Sequence, residues 1–421
     1  MDLGHFVPAI ALVLTVLLLA GRQHLVAQDR SWWVAAVLDT PSVAALAGAL
    51  LAWGAPDWII RSADSLVQPA FLFLGGWVGL QIGCGLDLRA VRRVPVVPFL
   101  YEGATALAAI VAVFAVGYGT SRLIPGVPEP LPAALLVLAG LCTAGPALPG
   151  GGQALSRGAG RGGFWNPSMA AVLAALLAAV GSALKPWPIL QATIPFLDRP
   201  VPAEIDGVVG GLLWVLAVGC IAGLVADLVT KDDFAPGGLY PQLTAVLLIA
   251  TGVAGALGLE ILLVMAIAGF WLVNATLRRL DILHVLQRGA ILPRILVPFL
   301  GGWFVGGGAS VAGVDSGTFA LVLVLALVLR PAARIVGRAI VQTGMLTAGR
   351  RRKEPLLAGL VEIDELGILL AAILTRLLEP AAGVAALAAV LVAQWLLGLG
   401  SRAWDQRETR MRLELERIPA G

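Results

Sequence analysis

Charge is what this sequence has least of. Only 13% of its 421 residues are Asp, Glu, Lys or Arg, where a soluble domain carries about 25%. Lysine occurs only at Lys185, Lys231 and Lys353, so arginine supplies nearly all the positive charge. Histidine and cysteine number three each. No Cys/His spacing suggests a structural metal site. Cys84, Cys142 and Cys220 all fall in apolar stretches and make no disulfide framework. There is no Gly-rich nucleotide loop and no Ser/His/Asp set, so nothing points to an enzyme or a bound cofactor. His284, near Arg279, reads as a loop residue. The net charge of +3 reflects short basic loops rather than a nucleic-acid partner.

What is abundant is apolar surface. Hydrophobic residues make up 59% of the chain, and mean hydropathy is +0.90. A chain this long and apolar cannot hide that surface in one soluble core. The expected class is an all-α polytopic membrane protein, its partner the lipid bilayer. Runs of roughly 20 apolar residues suit spanning helices, and about thirteen are found. They lie near 5–20, 33–54, 66–86, 95–118, 131–149, 164–184, 207–229, 238–256, 258–275, 293–308, 318–341, 355–378 and 381–400. The first lacks a basic leader and a small-residue cleavage site, so it reads as a retained helix. Only Gly258-Leu259-Glu260 separates the eighth from the ninth.

The loops orient the chain. Positive charge follows odd-numbered runs: Arg22 and Arg30; Arg89, Arg92 and Arg93; Arg157 and Arg161; Lys231; Arg278, Arg279 and Arg288; Arg350 to Lys353. After even-numbered runs it is sparser and offset, as at Arg61 between Asp57 and Asp64. Positive loops stay cytoplasmic. The expectation is a multi-pass cell-membrane protein, bacterial inner membrane, with the N-terminus outside and the C-terminus inside. Residues 401–421 are mixed in charge and read as a cytoplasmic tail with no room for a regulatory domain.

Two runs contain breaks or charge. Ala144-Gly145-Pro146-Ala147-Leu148-Pro149-Gly150-Gly151-Gly152 cannot hold a continuous helix. Either Gly145, Pro146 and Pro149 end the helix at the surface, or they break it inside the membrane. A break would leave a half-helix N-terminus for an anion or carboxylate. In the twelfth run Glu362, Asp364 and Glu365 interrupt apolar sequence. They sit at the mouth of the span or inside it, and inside the membrane such acids mark a functional site. Arg330 closes the apolar stretch Phe319–Leu329 and needs an anionic partner; Glu365 is the obvious one. Arg334 and Arg338 follow at four-residue steps and are expected to snorkel toward the cytoplasm. Glu102 lines a path or pairs at the interface.

The order of these features resembles the monovalent cation:proton antiporter superfamily. Phe71 to Gly76, running on through Cys84-Gly85-Leu86-Asp87-Leu88-Arg89 to Arg92-Arg93, is similar to the family's third-helix ending. Gly145-Pro146-Ala147 looks like its unwound Ser-Pro-Ala, and Ala266 to Asn274 like its "phe-ala-Gly…Asn" ending. Arg330 falls where many members carry a buried Lys, and Glu365 near the Glu of a Gly-Glu motif. The resemblance implies an inverted-repeat fold with two broken crossing helices and a homodimer. A scaffold domain would comprise 1–94 and 238–308, a transport core 95–184 and 318–400, a linker helix 207–229 and a tail 401–421. The core would move against the scaffold, carrying a monovalent cation (sodium or potassium) against protons.

One departure stands out. The family's sixth helix carries an Asp that binds proton and cation in turn. Here Ala170-Ala171 stand there, and the whole run lacks an acid. Asn166, one turn earlier, offers an amide oxygen only. Coupling would then pass to Glu362, Asp364 or Glu365. The alternatives are a relative that carries an anion or other solute beside Arg330, or a non-transporting membrane scaffold or sensor.

Overall fold

The structure is a computed structural model that describes residues 40–91, 96–123, 132–143, 166–184, 207–231, 238–347 and 365–416. Among these it is all-helical, without a strand. The helices are α1 Thr40–Gly54, α2 Asp57–Cys84, α3 Leu88–Val91, α4 Val96–Leu123, α5 Pro132–Thr143, α6 Asn166–Leu184, α7 Gly207–Thr230, α8 Leu239–Ala256, α9 Ile261–Ala275, α10 Arg279–Gly289, α11 Ile291–Ala312, α12 Ser316–Val324, α13 Arg330–Thr347, α14 Glu365–Leu377 and α15 Pro380–Glu416. A π-helical turn, Leu325–Leu329, joins α12 to α13. Helix is what an apolar run must form in hydrocarbon, because each backbone N–H and C=O then finds its partner within the segment. Among the described residues five helical runs are long and apolar enough to cross a membrane: Val209–Thr230, Leu239–Ala256, Arg279–Ala309, Ser316–Thr343 and Pro380–Gly398. Seven shorter apolar helices accompany them. The run at 5–20 lies outside the described residues.

Helix ends follow local chemistry. Gly258, at φ +66°, turns the chain between α8 and α9 in a conformation that L side chains resist. Glu260 then caps α9 by accepting the Leu262 N–H at 3.4 Å, so the short separator between the eighth and ninth runs is a true boundary. Asp315 caps α12, accepting from the N–H groups of Gly317 and Thr318 and from the Thr318 hydroxyl. At the far end of α2, Asn274 accepts the Leu88 N–H at 2.9 Å and donates to the Leu86 carbonyl at 3.1 Å. Asp87 pairs with Arg279 at 2.6 Å. The two family-like endings thus meet each other.

One expected loop is helical, and the tail, which could also be read as a small surface helix, extends the last helix. Residues 279–289, read as a basic loop with His284 in it, form α10, with Ile282, Leu286 and Gly289 buried on one face. The charge-laced residues beyond 400 continue α15 without interruption to Glu416, 37 residues in all. At 1.5 Å per residue that is roughly 55 Å, well beyond a hydrocarbon core of about 30 Å.

Lipid offers helices no hydrophobic drive toward each other, so close van der Waals approach must hold them together. Glycine provides it here. A Cβ placed on Gly48 of α1 would lie 1.9 Å from the Phe299 carbonyl oxygen of α11. Conversely, one on Gly302 would lie 1.9 Å from the Ala45 oxygen. The same reciprocity joins α2 to α9: a Cβ on Gly83 would strike the Ala266 carbonyl oxygen, and one on Gly269 the Leu80 carbonyl oxygen. In each case the carbonyl belongs to the residue three before the partner's glycine. Both pairs run parallel, since Gly302 and Gly306 meet Ala45 and Ala49, and Gly79 and Gly83 meet Leu262 and Ala266. Similar backbone approaches join α7 to α9 at Gly219, α5 to α6 at Gly140 and α4 to α13 at Gly337.

Two predictions follow from these contacts. Gly302→Ala should destabilise the protein by roughly 1–3 kcal/mol through forced separation of the helices. Gly252→Ala, with nothing within 4 Å of the new methyl, should gain up to about 1 kcal/mol of helix propensity. Thermal midpoints in detergent check both, and equal midpoints would refute the close approach. The Thr318 hydroxyl, followed by the two backbone N–H groups, holds the Asp315 carboxyl below its ordinary 3.8. A depressed carboxyl contributes stability above its unfolded value that is lost as pH falls through the folded value. Asp315→Ala should therefore lower the midpoint at pH 7, and the gap should close only as pH falls below the ordinary 3.8 and through the lower folded value, as a pair of pH-series melts would record.

Candidate functional site

The site is built where α13 meets α5. Pro331 lacks an N–H to give the Leu327 carbonyl, and in a regular helix its ring would clash there. The chain passes this point as the π turn Leu325–Leu329, whose extra residue shifts the helical phase. Beyond it Arg330 and Arg334, four residues apart, share one inward face. Arg330 is 1% exposed and Arg334 4%. Arg334 Nη2 donates to the Thr143 carbonyl of α5 at 3.0 Å. Both guanidinium groups lie within electrostatic reach of the fully buried Cys142 thiol. Burying a guanidinium costs several kcal/mol unless it is compensated. The Thr143 carbonyl compensates part of this cost for Arg334, as a hydrogen bond to a charged group. Arg334 was read as able to snorkel toward the cytoplasm; it is instead buried on the face it shares with Arg330.

The second arm is α14. From Leu366 to Leu374 every residue is buried, so this helix is surrounded on all sides. Glu365 is its first described residue and is half-buried. α14 packs on α5.

α6 closes the site with alanine. Ala171, Ala174, Ala175 and Ala178 are fully buried, and a Cβ on Gly140 would lie 3.0 Å from the Ala174 oxygen. Methyl groups fill the face that lies on α5. Asn166 opens α6 and Glu102 lies on α4, but their side chains are outside the described set, as is that of Arg338. Glu362, Asp364, Gly145, Pro146 and Pro149 lie outside the described residues altogether. Among the described residues no three His, Cys, Asp or Glu side chains gather as a metal site. Two features escaped the sequence reading: the Arg334–Thr143 contact, foreshadowed only by the i, i+4 spacing from Arg330, and Asp227, a buried acid in the last turn of α7.

Arg334→Ala should remove about 1.5–3 kcal/mol, the scale of a hydrogen bond to a charged group. It should also expose Cys142 to a small thiol reagent under conditions where the wild type resists. Arg334→Lys should restore part of the protection, having a point charge but no fork. Unchanged labelling in Arg334→Ala would remove Arg334 from the closure of α5.

Scans against models of known protein families and against characterised proteins find no match for this chain.

Proposed function

We propose that the protein is a secondary transporter of the monovalent cation:proton antiporter type, working as a homodimer in the cell membrane. The observation that carries this reading is the burial of Arg330 and Arg334 against α5, in a core where α5 packs on α14, the helix that carries Glu365. Charged groups buried among apolar helices mark ion pathways in membrane proteins.

The contact pattern supports an inverted repeat. Exchange α1 with α9, α2 with α11, α4 with α12–α13, α5 with α14, and α6 with α15. The contact α1–α11 then becomes α9–α2, α5–α6 becomes α14–α15, α4–α6 becomes α12–α15, and α6–α9 becomes α15–α1; all of these are present. Consecutive spanning helices alternate in direction. Because α1 runs parallel to α11 and α2 to α9, the exchanged partners run oppositely, as inversion requires.

The division into scaffold and core has its own support. Every described backbone-on-backbone glycine contact falls within α1, α2, α7, α9 and α11, or joins α4 to α13, α5 to α6 or α14 to α15. Between the two groups glycines meet only side-chain tips: Gly75 meets Leu369, Gly301 meets Ile368 and Leu391, and Gly308 meets Val384. A seam of branched side chains over glycine suits relative movement better than interlocked backbones do.

Coupling, in this reading, rests on Glu365 with Glu362 and Asp364, because α6 carries no acid. Arg330 and Arg334 favour the ionised form of a nearby carboxylate. A second reading, anion transport, is favoured by one observation: two guanidinium groups are buried against α5. Proteoliposomes with a pH-sensitive dye separate the two. Sodium or potassium should drive proton flux in the wild type, and Glu365→Gln should abolish it. Cation-driven flux that persists in Glu365→Gln removes Glu365 from the mechanism, and anion uptake without cation-linked proton movement transfers the reading to the second.

A further inference from the structure

Asp227 plays no part in the proposed transport site, yet it is a carboxylate buried in a membrane-spanning helix. It is 6% exposed, in the last turn of α7. Its Oδ2 lies 3.6 Å from Lys231 Nζ, on a side chain 64% exposed. Its Oδ1 is fully buried and accepts no hydrogen bond among the described residues. An ionised acid left this way is costly unless a cation answers it.

Apart from Lys231, the helices packed on α7 supply oxygen and no cation. Gly219 lies against Val264 and Ile267, and Gly223 against Ala268 and Trp271, so α7 and α9 run parallel. Asp227 is one turn further along this face, where both helices approach their C-terminal ends. Those ends carry negative partial charge, which makes the place worse for a lone carboxylate and better for a cation. Thr230 is 1% exposed, and its hydroxyl donates to the Ala226 and Asp227 carbonyls, leaving its own lone pairs free to accept. α8 packs on α7 and turns at Gly258 straight into α9, so it runs against both and its first turn, with Gln242, lies at the same end. Gln242 Oε1 is also buried without a donor among the described residues. α6, α8 and α9, which pack on α7, contain no Lys or Arg.

We propose that Asp227, Thr230 and Gln242 form a binding site for a monovalent alkali cation at the end of α7 that carries Lys231, separate from the α5–α14 site. One carboxylate with neutral oxygens balances a single positive charge, whereas a divalent ion calls for more carboxylates. Lys231 competes with the ion from outside for the outer oxygen.

The test is the thermal midpoint of the purified full-length protein, titrated with NaCl, KCl or LiCl against choline chloride at constant ionic strength. The titration is made in a Glu365→Gln background, which silences the proposed transport site. One alkali ion should still raise the midpoint saturably there. Adding Asp227→Asn should abolish that rise while melting no lower than its parent in choline, because an amide needs no counter-ion. Adding Gln242→Leu should raise the half-saturating concentration tenfold or more, and Lys231→Met should lower it. An alkali response that is absent from Glu365→Gln, or that survives the added Asp227→Asn or, should that variant not fold, is unmoved by Gln242→Leu, overturns the proposal. So does a response to magnesium or calcium alone.

Discussion

A guanidinium buried among apolar helices must find an acceptor, because water is not there to help. The core of this protein is arranged around that constraint. Arg334 of α13 reaches the Thr143 carbonyl of α5, 191 residues away in the chain. To bring the arginine inward, α13 must be entered in the right phase. The π turn before Pro331 provides the phase, so an apparent defect in one helix supports a contact with another. A change in the turn or in the arginine therefore disturbs the same contact.

The same constraint explains why the interfaces are of two kinds. Lipid tails are as apolar as leucine, so helices associate only if their surfaces fit closely. Where α1 meets α11 and α2 meets α9, reciprocal glycines let carbonyl oxygens approach the facing backbone, an interlock that resists sliding. Where α2 and α11 meet α14 and α15, glycine faces leucine, isoleucine and valine tips instead. In the proposed transporter the first kind holds each part rigid and the second lets them shift. This is a statement about energetics as well as shape: moving a side-chain tip across a glycine costs rotamer adjustments, while moving an interlocked backbone costs the whole contact.

How much of this was legible beforehand depends on the kind of signal. α7, read as 207–229, is Gly207–Thr230, and α8, read as 238–256, is Leu239–Ala256, because an uninterrupted apolar run announces itself to a simple count. α10 was passed over because its charges break the run, although Ile282, Leu286 and Gly289 keep helical spacing. The inward turn of Arg334 was not readable at all. Spacing puts Arg330 and Arg334 on one face, but which way that face points depends on the π turn and on a carbonyl of another helix. The glycine interlocks were equally silent, since a glycine in an apolar run looks the same whether it faces lipid, as Gly252 does, or a carbonyl.

The missing acid of α6 is the sharpest case, because its absence was plain in the sequence and its meaning was not. The structure adds that the face of α6 on α5 is packed alanine, with Ala171, Ala174, Ala175 and Ala178 all buried. A carboxylate introduced there would be desolvated against α5 unless the two helices parted. In the proposed transporter, coupling passes instead to the carboxylates of α14 and its neighbouring acids, with the buried guanidinium groups of α13 to tune them.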